Sequence, residues 1–468
     1  MTVELGMRAS ALAMSVMGVA LLWPTPAAAQ DRPAQDLPAM ARGRPVPALL
    51  GVWRSRGYGY VVRMAADGPT LFHVAGSFCY WDPRQERDPD NLFKLYRPRG
   101  PDTVAFYSDR GETEYVFDRL PDLPAACSDP TPWSRPRIVA LVAATFAELY
   151  PSFELRGIDW RARAEAAERA IDENSDDAAL FETLRTMLDG VEDPHVELHA
   201  EVAREPRSLD PGKGPTLTRI RAAFGDELLD DEEWLPDYRR GILSAVLQGK
   251  GQQRANKRLI WGRVRDIGYL NLLAMEGLSK GGAREDKAVL DTALDEAVAA
   301  FKGARAVIVD VSYNLGGHDG VSRQAAARFA DARRLAYAKV PHGAQDLEPQ
   351  PFHVEPSRRA SYAGPVYLLT SDVTVSAGET FTLFMRALPN VVHVGATTRG
   401  ALSDQIEKPL PNGWTLALSA EIYRDPEGQW YEVRGIPPQL QREVFPPDDL
   451  TSGHARAVLA LMDEIRKK

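Results

Sequence analysis

Between Trp261 and Pro438 the sequence switches repeatedly between two periods, and that alternation limits the fold more than any other feature. Ile267-Gly268-Tyr269-Leu270-Asn271-Leu272 reads as a strand, Lys287 to Phe301 as an amphipathic helix, and Ala306-Val307-Ile308-Val309-Asp310-Val311 as a buried strand. Val366 to Leu369 is a further strand and Ala377 to Ala387 a further helix, and the strands Val391 to Val394 and Trp414 to Leu418 complete the set. Each apolar face has to be buried against another element, so this alternation implies a sheet covered by helices, an α/β fold.

The text before this region has other periods. From Gly51 to Cys127 it consists of short β-like runs broken by turn signals: Tyr58 to Val62, Thr70 to Val74 and Thr103 to Tyr107. Asp67-Gly68 between the first two suits a hairpin. This predicts a small antiparallel β domain over 51–130. From Arg135 to Gly190 the spacing of Ile138, Leu141, Val142, Thr145 and Phe146, and of Leu180, Leu184 and Leu188, is helical. A helical subdomain is expected over 131–205. Residues 205–215 read as a loop, and 206–260 as a connecting segment with helix from Tyr238 to Leu247. The α/β core is expected over 261–445 and a closing helix within 446–468.

The first thirty residues stand apart. An apolar run from Ala9 to Trp23 leads to Pro24, Pro26 and Ala27-Ala28-Ala29. Small residues at Ala27 and Ala29 suit a signal peptidase, which predicts a cleaved signal peptide over 1–29, a flexible linker over 30–50, and a periplasmic or secreted protein. The run is short for a bilayer span, and no Cys follows it to take a lipid. Net charge is −9, which excludes the basic footprint of a nucleic-acid binder. Cys79 and Cys127 are the two cysteines. In an oxidising compartment they can form a disulfide, adding about 4 kcal/mol in the chain-entropy model, or they can remain buried thiols.

One segment has the pattern of a nucleophile site. Leu369-Thr370-Ser371-Asp372-Val373-Thr374-Val375-Ser376-Ala377-Gly378-Glu379 runs from a buried strand through a polar loop to a helix start. A hydroxyl there stands beyond the sheet edge, close to unpaired backbone N–H groups that can hold an oxyanion. Alternatively Ser376 is an N-cap closed by Glu379 in a capping box. A second segment, Ser312-Tyr313-Asn314-Leu315-Gly316-Gly317-His318, follows the strand ending at Val311. Its paired glycines let backbone approach a ligand closely, although such pairs also mark ordinary turns.

Asp310-Val311-Ser312-Tyr313-Asn314-Leu315-Gly316-Gly317 resembles the Asp-x-Arg-x-Asn-x-Gly-Gly signature of tail-specific (C-terminal processing) proteases. The strand and Ser-Ala-x-Glu helix that follow, then Val394-Gly395-x-Thr-Thr, Gly413 and Gly435-Ile436-Pro437-Pro438, keep that family's order. The resemblance implies a ClpP/crotonase-like catalytic core, a serine peptidase activity on peptide or protein substrates, and no cofactor. It assigns Ser376 as nucleophile and the backbone N–H of Ala377, with Gly316 or Gly317, as oxyanion hole.

Two departures redirect the assignment. The position of the family's catalytic lysine holds Ala401, and Arg399 nearby is too basic to serve as a base. The sequence is closer to the tricorn-like branch, which lacks that lysine. His195 in Leu188-Asp189-Gly190-Val191-Glu192-Asp193-Pro194-His195 matches the family's Leu-x-Asp-x-His landmark, and an imidazole suits general base and acid work. Glu432, just before the Gly-Ile-x-Pro landmark, matches the branch's accessory carboxylate. Pro194 stands where the branch has a serine, and Ser312 where the family has an arginine. His195 and His199 lack the zinc-protease order and a third ligand, so no metal is expected. The span from Arg204 to Leu259 is too short for a PDZ module. Two functions remain open: an exported peptidase using Ser376, His195 and Glu432, and a non-catalytic ligand- or peptide-binding protein that keeps the fold.

Overall fold

Residues 36–84, 92–209, 212, 214–225 and 234–467 are described by the structure, a computed structural model. The expected signal peptide lies outside the described residues. Eight strands between Leu37 and Leu120 form an antiparallel sheet. Its order runs Leu37–Pro38, Leu95–Pro98, Thr103–Tyr107, Tyr115–Leu120, Gly51–Ser55, Tyr60–Ala65, Gly68–Ala75, Phe78–Trp81. The stretch expected as a flexible linker is therefore tied into this sheet from Leu37 onward. Asp36 accepts hydrogen bonds from Tyr107 and Arg97, which fixes that edge. The hairpin turn is Ala66-Asp67, with Gly68 at φ 131° opening the second strand. Cys79 and Cys127 form a disulfide that pins the 3-10 turn Ala125–Ser128 to the Phe78–Trp81 strand.

The helical text from Arg135 resolves into three helices, Arg135–Leu149, Trp160–Ala170 and Asp177–Leu188. Asp159 and Asp176 cap the second and third through their side chains. The chain then enters strand Glu197–Val202. Glu205–Leu209, expected as a loop, pairs with it as an edge strand. Pro206 is tolerated there because an edge position needs no second ladder. Strand Glu197–Val202 also pairs with Thr415–Ser419, which pairs with Gln405–Pro409. This four-stranded sheet joins the first half of the chain to the last quarter.

The central sheet has seven strands in the order Gln252–Arg254, Leu259–Val264, Ile267–Leu272, Ala306–Asp310, Val366–Thr370, Val391–Gly395, Leu440–Gln441. From Ile267–Leu272 onward the pairings are parallel. Ile267–Leu272, Ala306–Asp310 and Val366–Thr370 are buried at every position because both faces are covered. Val307 and Val309 point to helices Ala283–Ala300, Asp319–Ala326 and Ala377–Arg386, while Ala306 and Ile308 point to Trp234–Gly241 and Gly453–Lys467. The connecting segment keeps its helical character as Pro215–Phe224, Trp234–Gly241 and a π-helical turn Ile242–Val246. A three-stranded sheet, Gln350–Val354, Arg334–Pro341 and Glu421–Arg424, completes the α/β fold.

Candidate active site

Strand Val366–Thr370 ends in a polar loop held from both sides. Ser371 Oγ donates to Ser312 O at 2.6 Å and Thr374 Oγ1 to Val311 O at 2.8 Å, so the two loops at the carboxyl ends of adjacent parallel strands are laced together. Ligand sites of open α/β sheets form at such strand ends. The loop after Val366–Thr370 delivers Ser376 at φ 55° and ψ −123°, immediately before helix Ala377–Arg386. A non-glycine residue in that region is strained, and strain of this kind concentrates at functional positions. The capping box does not form. Ser376 makes no side-chain cap, and Glu379 is engaged elsewhere. Among the described residues the Ser376 hydroxyl has no hydrogen-bond partner and is not sealed from solvent.

The glycine pair lies against it. Gly316 has φ 89° and Gly317 φ 129°, both left-handed and costly for any other residue. A Cβ built on Gly316 would stand 2.7 Å from Ser376 Cβ. Asn314 fixes this turn: its Nδ2 donates to Leu272 O, its Oδ1 accepts from Gly316 N, and its carbonyl accepts from Val375 N. Gly316 N–H is thereby occupied, which separates the two glycines. Among the described residues the N–H groups of Gly317 and Ala377 have no such acceptor.

Segment 398–405 links the remaining candidates. Ala401 O accepts from Ser376 N at 3.0 Å. Glu379 is fully buried and accepts from Thr398 Oγ1, Gly400 N and Ala401 N. Burial pushes its carboxyl up to about 7 despite those three donors. Glu432 Oε2 accepts from Leu402 N and Ser403 N, and Gln405 Nε2 donates to His195 O at 3.2 Å. Ser376, His195 and Glu432, distant in sequence, all hang on this one segment. Among the described residues no hydrogen bond joins their side chains directly. His195 Nδ1 and Glu432 Oε1 are both buried without a partner. Burial, then the nearby charges of Asp193 and Glu379, hold the Glu432 carboxyl well above the usual range, which favours its neutral form.

Three residues given no role by the motifs shape the site. Asp193 is buried and accepts from His195 N at 2.9 Å, from Tyr150 OH and from Ser419 Oγ. An Asp two residues before a residue whose N–H it accepts is an Asx turn, so its spacing was a usable signal. Arg156 lies 3.6 Å from the same carboxylate. Arg399 donates through Nε to Gly212 O at 2.9 Å, tying the segment to the loop beside Pro194. His199, by contrast, is exposed and bonded to Glu197.

Comparison with known proteins agrees with the motifs. Residues 266–442 match the model of Peptidase family S41. The chain is 25% identical over 144 residues to the carboxy-terminal processing protease CtpA of Bacillus subtilis (strain 168), which is 31% of this chain. The match spans 30% of that curated relative. Two solved structures share the fold. A candidate peptidase from Parabacteroides merdae ATCC 43184 is 24% identical and superposes with a TM-score of 0.55, over 72% of this chain and 97% of that one. Mature CPAF is 12% identical with a TM-score of 0.51, over 72% and 98%. The resemblance to tail-specific proteases is thus borne out.

Proposed function

We propose that the chain, whose core carries the S41 peptidase segment, is an exported serine peptidase of the tricorn-like branch. The observation that carries this reading is Ser376: a strained residue at a helix start, its hydroxyl unbonded, facing a glycine turn with an unengaged N–H. Ser376 Oγ attacks the scissile carbonyl of an extended peptide. The developing oxyanion is held by the N–H groups of Gly317 and Ala377, whose donors are already fixed in place. Gly316 serves by close approach, since its own N–H is bound by Asn314.

The base has to come from the first half of the chain. Ala401 is fully buried and its backbone is committed to Ser376 and Glu379, so that position offers no amine. His195 takes the Ser376 proton and returns it to the leaving amine, then activates water to release the acyl group. Imidazole and hydroxyl are not bonded in the free chain and close on each other around substrate, as catalytic hydrogen bonds commonly do. Glu432, favoured in its neutral form, supports the relay as a hydrogen-bond donor rather than as a counter-charge. Asp193 sets the backbone of His195. The Cys79–Cys127 disulfide and the apolar run from Ala9 to Trp23 both favour export to the periplasm or beyond.

The test is covalent labelling with a fluorophosphonate probe. Wild type is expected to label and Ser376→Ala not to. Equal labelling of the two, or none of the folded wild type, would leave a binding protein that keeps the fold.

A further inference from the structure

A cavity of about 460 Å³ lies between the N-terminal β domain and the outer face of helix Asp319–Ala326. Four of its lining side chains are cations, Arg110, Lys287, Arg323 and Arg333, against one carboxylate, Glu355. Phe352 supplies an apolar wall. Glu355 pairs with Arg333 at 2.8 Å. Glu112, which does not line the cavity, is shared by Lys287 at 2.9 Å and Arg323 at 3.7 Å. Asp36 and Asp109, also outside the lining, pair with Arg110 and Lys287. The surface offered to a ligand is therefore cationic, with its compensating charge set mostly outside the lining.

The position of this cavity gives it a purpose. Gly320 lines it, and Gly320 is four residues beyond Gly316, which touches Ser376. Four residues span at most about 14 Å. An extended peptide with its scissile bond at Ser376 covers that distance in about four residues.

We propose that this cavity is a substrate subsite for acidic side chains lying three to five residues from the scissile bond. The inference rests on the peptidase reading for its register, and on the cavity's own charge for its chemistry. Guanidinium groups of Arg323 and Arg333 bind carboxylates in a planar fork, and Lys287 adds a point charge. No acidic side chain is needed at the reacting bond itself.

The experiment uses the full chain carrying Ser376→Ala, which binds without cleaving, and two fluorescein-labelled ten-residue peptides that differ only in four Glu replaced by four Gln. Fluorescence anisotropy reads affinity. The Glu peptide is expected to bind about tenfold more tightly at low salt, the yield of two or three partly exposed ion pairs, and the preference should shrink with added NaCl. Adding Arg323→Ala with Arg333→Ala should bring the two peptides to equal affinity. Should that double variant fail to fold, Arg333→Glu alone replaces it, since its side chain is 61% exposed. Equal binding of the two peptides overturns the inference. So does a Glu preference that survives the variants, or no binding of either peptide at millimolar concentration. Labelling of Ser376 in the wild-type chain, measured in parallel, separates the readings. A labelled serine with no acid preference sinks the subsite alone. An acid preference removed by the variants, without labelling, sinks the peptidase and keeps the site.

Discussion

Gly316→Ala is the sharpest probe of the site, because it adds one methyl group and nothing else. The new Cβ would stand 2.7 Å from Ser376 Cβ, a shortfall of about 0.8 Å against the ~3.5 Å contact distance of carbon atoms. It would also stand 3.1 Å from Val375 O. Alanine at φ 89° carries a further cost of about 1–2 kcal/mol. Neither neighbour yields easily. Val375 is held by Asn314 O, and Ser376 N by Ala401 O. The relief therefore falls on the Ser376 side chain and on the turn that presents Gly317 N–H. A displacement of up to about 1 Å at a reacting atom can cost about 100-fold in rate. The expected outcome is a fall of about 10- to 100-fold in the second-order rate of fluorophosphonate labelling. The melting temperature should drop by only a few degrees, as a cost of that size in a large domain implies. Labelling within about twofold of wild type, with the melting temperature unchanged, would refute the placement of Gly316 against the nucleophile.

Two buried titratable groups give pH-dependent tests. Burial raises Glu379 to about 7 from its ordinary 4.5, so the folded chain holds that proton more tightly. Its contribution favours folding fully below about pH 4.5 and is lost as pH rises through 7. Glu379→Gln should flatten this fall, so the wild-type-minus-variant difference in melting temperature decreases between pH 5 and pH 8; a constant difference contradicts it. Lys408 is the reverse case. Burial lowers it to about 7 from 10.5, while its Nζ donates to Tyr58 O and Gly59 O and lies 3.7 Å from the centre of the Tyr60 ring. The unfolded chain binds that proton more tightly, so stability from this group rises with pH between 7 and about 10.5. Lys408→Met should therefore lose ground against wild type as pH is raised from 7 to 10, and a variant curve parallel to wild type would exclude the effect.

Much of the core was legible because its cause is local. Ile267–Leu272 and Ala306–Asp310 are strands covered on both faces, and continuous apolar runs of that length announce themselves. Glu205–Leu209 was hidden, since a mostly exposed edge strand with a proline has loop composition and its pairing is supplied by Glu197–Val202. The flexible lead-in failed for a similar reason: Leu37–Pro38 is ordered by Leu95–Pro98, which nothing nearby in sequence reveals. At the site, Ser376 and the glycine pair could be read from their place after buried strands. The work of Glu379 could not. Ser-x-x-Glu at a helix start suggests a box closed on itself, whereas the carboxylate reaches some twenty residues ahead to Gly400 and Ala401. Asp193 was read only as the Asp of the Leu-x-Asp-x-His landmark and given no role, although its spacing to His195 carried the turn signal.

The four-stranded sheet also bears on timing. Glu197–Val202, which follows His195, is stitched to Thr415–Ser419, and Glu432 comes later still. A chain emerging from its amino end therefore owns its imidazole long before its serine, and both before the strand that unites them. On the reading proposed here, a nascent polypeptide threading through a translocation channel is inert as a protease until nearly all of it has crossed. Delayed assembly of this kind would shield the producing cell during export.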